Sequence, residues 1–355
     1  MSRVKLGDVA FERKETLKNG NNQVTVGLEH LIPEEIELTQ WDEGAENTFT
    51  KVFHKGDILF GRRRAYLKKA TVAPLDGICS GDITVISANE DKISPRLLPF
   101  IIQNDAFFDF AVEKSAGSLS PRVKWQHLKE YEFELPDIGK QHELAELLWS
   151  MNATKMAYKK LLEKTDELVK SQFIEMFGNP ISKEMEESLS RLGDVCNLKA
   201  GKFVKADDIK EYQTDGMYPC YGGNGLRGYV NNYNQDGEFP LIGRQGALCG
   251  NVQFAVGKFH ATEHAVVVTP KADIDRFWLY YLLFMLQLNR YASGAAQPGL
   301  AVNRLEDIRV DLPPVSKQRQ FSELAKQSDK SKFELEQSIV ELTATYKKII
   351  SENLG

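Results

Sequence analysis

The sequence predicts an α+β protein in which two related mixed α/β globules are separated by two long antiparallel helices, an intramolecular coiled-coil-like spacer. Three observations carry this. The chain matches itself across an internal repeat, each half holds a Gly- and Pro-rich region with short β-branched runs, and each half then enters a long stretch free of Gly and Pro. At 355 residues the chain has room for two or three domains of roughly 100–200 residues each. Its 42% hydrophobic and 27% charged content excludes disordered and fibrous classes.

Taken in order, the first element is Leu6-Gly7-Asp8-Val9, which recurs as Leu192-Gly193-Asp194-Val195. The strand-like Asp57-Ile-Leu-Phe-Gly-Arg62 recurs as Glu238-Phe-Pro-Leu-Ile-Gly-Arg244, and Ile83–Ile86 and Ala265–Thr269 read as further strands. One internal helix is predicted in each globule, near Pro95–Val112 and Asp275–Tyr291, where apolar residues are dense and Gly is absent. Leu135-Pro136 followed by Lys140-Gln141 recurs as Leu312-Pro313 followed by Lys317-Gln318, an offset of 177. At that offset Ser120-Pro121 falls on Gln297-Pro298 and Leu128 on Leu305. Lys140 to Phe177 then carries Leu144, Leu147, Leu148, Met151, Leu161, Leu168 and Phe173 at helical spacing, closed by Gly178-Asn-Pro180. Its counterpart from Lys317 to Leu354 carries Phe321, Leu324, Ile339, Tyr346 and Ile350. The predicted boundaries are a globule at 1–139, a helix at 140–178, a second globule at 190–316 and a second helix at 317–355.

Net charge is -5, yet the basic residues cluster: Lys51, Lys55, Arg62, Arg63, Arg64, Lys68 and Lys69 are opposed in that stretch only by Asp57. Such segregation suits one face meeting an anion while the remainder stays soluble. No apolar run reaches the roughly 18 residues of a membrane span, the longest being Phe277 to Leu288 with Gln287 inside it. The N-terminus alternates charged and apolar residues without an export signal, so the cytoplasm is the expected compartment and no membrane partner is expected. Cys79, Cys196, Cys220 and Cys249 lie far apart with no CxxC pair and read as reduced structural thiols.

Catalytic patterns fail on context. Gly223-Asn-Gly225-Leu-Arg-Gly228 fits the dinucleotide fingerprint, but turn residues follow where a helix is required, so it reads as a Gly-rich loop between short strands. His260-Ala-Thr-Glu263-His264 fits an inverted zincin pattern, but it runs into Val266–Thr269, and a strand would put Glu263 on the opposite face from the histidines. No Walker sequence, methyltransferase motif or nuclease metal site is present, so no catalytic residue, metal or cofactor is assigned to this chain.

What remains is a binding signature found twice. Gly61-Arg62-Arg63-Arg64-Ala-Tyr66-Leu-Lys68 combines guanidinium groups with an aromatic ring after a strand, and Gly243-Arg244-Gln245-Gly246 occupies the matching place. Arginine can fork onto guanine O6 and N7 or grip a phosphate, and glutamine suits adenine. A second loop also recurs, Ser115-Ala-Gly-Ser-Leu-Ser-Pro-Arg122-Val-Lys124 against Ser293-Gly-Ala-Ala-Gln297 through Asn303-Arg304.

In their order and duplication these motifs resemble the specificity subunit of type I DNA restriction-modification systems, and the resemblance covers the whole chain. It implies that each globule is a target recognition domain reading one half of a split site in double-stranded DNA, with the helix pair setting the unread gap. It also implies two methyltransferase subunits that bring S-adenosylmethionine, and optional motor-nuclease subunits, so that methylation and cleavage belong to partners. By position, the readers are Arg62, Arg63, Arg64, Tyr66, Lys68, Arg122 and Lys124 in the first domain, and Asn224, Arg227, Arg244, Gln245, Gln297 and Arg304 in the second. Two other classes fit the residues alone: a free-standing DNA-binding regulator, and a protein-interaction scaffold whose globules bind no DNA.

Overall fold

The computed structural model describes residues 2–17, 23–44, 48–183, 189–246, 248–294 and 298–354. It divides into two units, Met1–Lys160 with Leu335–Gly355, and Leu161–Glu334. Two 40-residue helices, Ile138–Phe177 and Val315–Leu354, each contribute one half to each unit. Both begin two residues before the predicted Lys-Gln start, because Asp137 and Pro314 accept the first-turn amides of Gln141 and Gln318.

In the first unit, Ala10–Glu12, Ile83–Ala88, Ile58–Gly61 and Ala70–Val72 form one antiparallel four-stranded sheet. Asp42–Glu43, Val24–Val26, Gly77–Cys79 and Lys51–Phe53 form a second four-stranded sheet, mixed because Val24–Val26 and Gly77–Cys79 pair in parallel. The second unit has one six-stranded sheet built on two longer strands, Gln235–Gly243 and Val252–Ala261. The pairing shows why the sheet counts differ. At an offset of 182 the span Phe53–Gly61, from the end of Lys51–Phe53 through Ile58–Gly61, falls on the single strand Gln235–Gly243. In the first unit the chain breaks at His54–Asp57, where buried Asp57 accepts the His54 amide at 2.8 Å, a fork from Arg13 at 2.7 and 3.1 Å and the Ser87 hydroxyl at 2.6 Å. A buried carboxylate is tolerated only with such partners.

The repeated motifs have repeated jobs. Leu6–Val9 and Leu192–Val195 are single helical turns whose leucine amides donate to Tyr131 O and Ile308 O, both at 2.8 Å. A side chain on Gly7 or Gly193 would meet the Cβ of Lys129 at 3.0 Å or of Glu306 at 2.8 Å, which explains why the motif needs glycine. The Lys-Gln motif is a staple. Buried Gln141 accepts from Ser94 N at 2.8 Å and donates to Pro136 O at 2.9 Å, while Gln318 accepts from Asp275 N at 2.9 Å and donates to Pro313 O at 2.7 Å. Replacing Gln318 with alanine would leave a buried donor and acceptor unpaired, and is expected to cost about 2 kcal/mol, read as a lowered urea midpoint of the full chain.

The internal helices are interrupted. The predicted Pro95–Val112 helix is two, Leu98–Ile102 and Asp105–Glu113, because the Asn104 side chain caps the second by accepting from Ala106 N. The predicted Asp275–Tyr291 helix ends at Met285 and resumes as a 3-10 turn at Leu288–Tyr291 after Gln287, which adopts φ 51°.

In the first unit Leu144 and Leu148 pack with Ile350 and Leu354 in one core, and Phe100 stacks edge-on against Trp149 and Tyr346. In the second, Phe173 packs against Phe177, Trp278 and Phe321. The helical apolar stripe is wider than the buried seam. Leu147, Leu161 and Leu168, expected within the seam, are 47–54% exposed, as are Phe333 and Val340 at 60% and 62%. All four cysteines are free and buried, and desolvation pushes the Cys79 and Cys196 thiols up to about 12. Among the described residues no helix is long and apolar enough to cross a membrane.

Candidate nucleic-acid interface

Each unit presents a Gly-Arg loop held by the same backbone frame. Arg62 N donates to Asp82 O at 3.0 Å and Arg62 O accepts from Val123 N at 3.0 Å; Arg244 N donates to His264 O at 3.0 Å and its O accepts from Leu300 N at 2.8 Å. Two residues on, Arg64 N donates to Pro121 O at 2.8 Å and Gly246 N to Pro298 O at 3.1 Å. Arg64 (φ 54°) and Gly246 (φ 85°) share the left-handed conformation, so the second unit's glycine is the relaxed version of a turn that the first forces on an arginine. The second loop closes on the first through Arg63 opposite Arg122 and Gln245 opposite Gly299, and through paired backbone bonds between Ala116 and Arg122 and between Ser293 and Gly299.

This frame aligns Arg62, rather than Arg63 or Arg64, with Arg244. The two share a further property. The Nε of each is buried with no hydrogen-bond partner, and among the described residues neither guanidinium makes an ion pair. Leaving a buried donor unpaired costs about 1–3 kcal/mol, an expense a protein retains where a ligand completes the site.

The other basic candidates are largely spent within the protein. Arg122 forks onto Asp82 at 2.7 and 3.2 Å, and Arg63 donates Nε to Ser120 Oγ at 2.6 Å with Nη1 3.5 Å from Asp82. The Arg122 hydrogen bond holds the Asp82 carboxyl below its ordinary range. Lys68 is bound to Asp105 at 2.5 Å, Lys69 to Leu28 O at 2.7 Å and Lys51 to Ile83 O at 2.7 Å, the last with its amine pushed below the usual lysine value by burial. The basic stretch is therefore not one open cationic face. Tyr66 stays 54% exposed on the turn Ala65–Leu67, and Lys124 is exposed beside Val123.

In the second unit, the segment Gly223–Gly228, expected to be a loop, is a loop only at Gly223-Asn224, the turn of the hairpin Tyr218–Gly222 and Gly225–Val230; Gly225 to Gly228 pair as strand. Bare Gly223 and Gly243 let it close against the Gly-Arg loop: a Cβ on Gly243 would fall 1.9 Å from Gly223 O, and one on Gly223 3.3 Å from Gln245 O. Exposed Asn224 and Gln245 are thereby brought together, and Arg227 crosses Gly222 on the same hairpin. Arg304 is engaged elsewhere, donating Nη1 to Tyr291 O at 3.2 Å, just as His127 contacts Lys114 O at the same distance in the first unit. That repeated contact marks Arg304 as a structural latch. Gln297 lies outside the described residues.

The expectation that a strand separates Glu263 from the histidines is corrected. Residues 262–264 turn between strands, so Glu263 and His264 meet at 3.2 Å, whereas His260 lies buried on its strand between Asn232 Oδ1 and Lys202 O. Asp82, Glu263 and His264 are the site residues that sequence reasoning missed. They stand about twenty residues beyond their loop arginines in the chain and join them only through sheet pairing.

Residues 184–343 match the family model for the type I restriction modification DNA specificity domain. This stretch resembles a type I specificity domain. It includes the hairpin turn, the loop of Arg244 and the first part of the second long helix. The chain is also similar to the EcoprrI specificity subunit of Escherichia coli, 47% identical over 136 residues, which are 38% of this chain and 34% of that protein. A putative type I specificity subunit of Haemophilus influenzae is 32% identical over 135 residues, 37% of this chain and 34% of that protein. The chain thus spans about a third of the length of these curated relatives. The crystal structure of a type I S subunit from M. genitalium matches 100% of this chain and 96% of its own, with TM-score 0.66 at 16% identity. A chain from a structure of type I R-M complex assembly matches 99% and 97%, with TM-score 0.57 at 21% identity. The specificity-subunit fold therefore extends over both units.

Proposed function

We propose that this chain is the DNA-recognition subunit of a type I restriction-modification complex, each unit reading one half of a bipartite site and the long helices setting the unread gap. The observation that carries the reading is the pair Arg62 and Arg244, fixed by the same backbone bonds and each with an Nε that finds no hydrogen-bond partner among the described residues. A guanidinium so held can fork onto guanine O6 and N7, a contact that specifies rather than merely positions. Leu147, Leu161, Leu168, Phe333 and Val340, exposed along the helices, offer apolar surface to methyltransferase subunits. Those partners supply S-adenosylmethionine and the methyl transfer, and motor-nuclease subunits supply cleavage; this chain contributes recognition alone.

The test is to co-express the chain with its cognate methyltransferase subunit and map methylated adenines across the host DNA by single-molecule sequencing. A split motif with one fixed gap, each half of which changes when the corresponding unit is exchanged, is the expected result. Co-purification with no new methylation would overturn it, and DNA binding by the isolated chain would then separate a free-standing regulator from a scaffold.

A further inference from the structure

Asp82 has no counterpart carboxylate at its position in the second unit, and its two partners are missing there as well. At the same backbone places stand His264 for Asp82, Gln245 for Arg63 and Gly299 for Arg122. All three members of the cluster differ together, which marks it as one device rather than a general support of the fold. Its geometry is that of an anion clamp: Arg122 donates Nε and Nη2 to the two oxygens of Asp82 at 2.7 and 3.2 Å, Arg63 brings Nη1 to 3.5 Å, and Ser120 steadies Arg63 at 2.6 Å. The arginine side chains remain 39% and 44% exposed, so the clamp faces outward. A carboxylate and a phosphate offer the guanidinium fork the same pair of acceptor oxygens.

We propose that Asp82 occupies the seat of a DNA phosphate and is a positioning residue that restrains Arg63 and Arg122 until the backbone of a correctly read site displaces it. The inference rests on the DNA-reading function above. Without a competing phosphate, the cluster carries one net positive charge instead of two, which limits the sequence-independent grip of the first unit. When Arg62 engages its base, the adjacent phosphate is delivered to the clamp, so the contacts of Arg63 and Arg122 are added selectively to the correct site. Asp82 thereby raises the ratio of specific to non-specific binding.

The test uses the full chain in complex with its methyltransferase subunits, on a cognate duplex and on an unrelated one, from 50 to 300 mM salt. Asp82→Asn is expected to tighten binding to the unrelated duplex about tenfold at the lowest salt and to steepen the log K against log salt slope there by about 1, as one added phosphate contact would. Cognate affinity should stay within about threefold, and Asp82→Glu should restore the shallow slope. Adding Arg122→Gln to Asp82→Asn should cancel the gain. Should Asp82→Asn fail to fold, Arg122→Gln alone serves, lowering the slope by about 1 on cognate DNA and leaving it unchanged on the unrelated duplex. For Asp82→Asn an unchanged slope on unrelated DNA, or for Arg122→Gln equal weakening on both duplexes, would overturn the proposal while leaving the recognition function intact. Absence of any cognate preference in the unaltered complex would overturn both.

Discussion

Replacing Arg244 with alanine is expected to weaken binding to the half-site read by the second unit by roughly 1–3 kcal/mol while leaving unrelated DNA almost unaffected. The magnitude is that of one bidentate base contact. The selectivity follows from the frame: the Arg244 N–H and C=O are both taken by backbone at 3.0 and 2.8 Å, so the residue is rigidly placed, and its Nε has no hydrogen bond within the described residues to lose. Arg62→Ala should have the same effect on the other half-site. Because the two loops belong to separate units, the losses should add in the double variant, giving about 2–6 kcal/mol. Arg63→Ala is the informative contrast, since its guanidinium, held by Ser120 and Asp82 in the free chain, is assigned to a phosphate rather than a base, so its loss should lower the salt slope on cognate DNA without changing which bases are preferred. Titration of cognate, half-cognate and unrelated duplexes at one fixed salt concentration decides the matter. Equal loss on every duplex would reassign Arg62 and Arg244 to phosphate contacts.

The second large effect concerns the helix packing. Phe173→Ala is expected to destabilise the second unit by about 3–5 kcal/mol, read as a lower denaturant midpoint. Phe173 is fully buried, with ring centroids 5.1 Å from Phe177, 5.2 Å from Phe321 and 6.5 Å from Trp278. Truncating it opens a cavity where the first long helix, the second long helix and the internal helix Arg276–Met285 converge. Phe173→Leu should cost far less because it retains most of the volume. By contrast, Leu168→Ala, at a residue 54% exposed only five positions away, should leave stability nearly unchanged, and any loss there should appear in methyltransferase binding instead.

Local chemistry is what the sequence made legible. Stretches free of Gly and Pro could only be long helices, and both run for 40 residues. Leu-Gly-Asp-Val and the Lys-Gln motif recur because each satisfies short-range needs, a close approach at Gly7 and Gly193 and a staple of the helix start at Gln141 and Gln318. The Gly-rich segment was legible as lying between strands, but only its first two residues, Gly223-Asn224, are the turn. The sequence by itself therefore determined the repeat, the element types and the loops that carry the arginines.

Only the tertiary structure decided which of those arginines are free. Three successive guanidinium groups look alike in a string, but Arg62 is held by Asp82 and Val123 through backbone alone, while the Asp82 side chain takes up Arg63 and Arg122. Periodicity also could not separate Leu148, buried, from Leu147, half exposed, because both lie within one apolar stripe and burial depends on what the opposing helix presents. The split strands around Asp57 arise in the same way, from hydrogen bonds closed by tertiary packing. Short-range sterics and backbone hydrogen bonding act within a few residues and are written along the chain; charge pairing and burial depend on residues far apart in it, as Arg122 is from Asp82 and Leu148 from Ile350, and exist only once the sheets and the helix pair have formed.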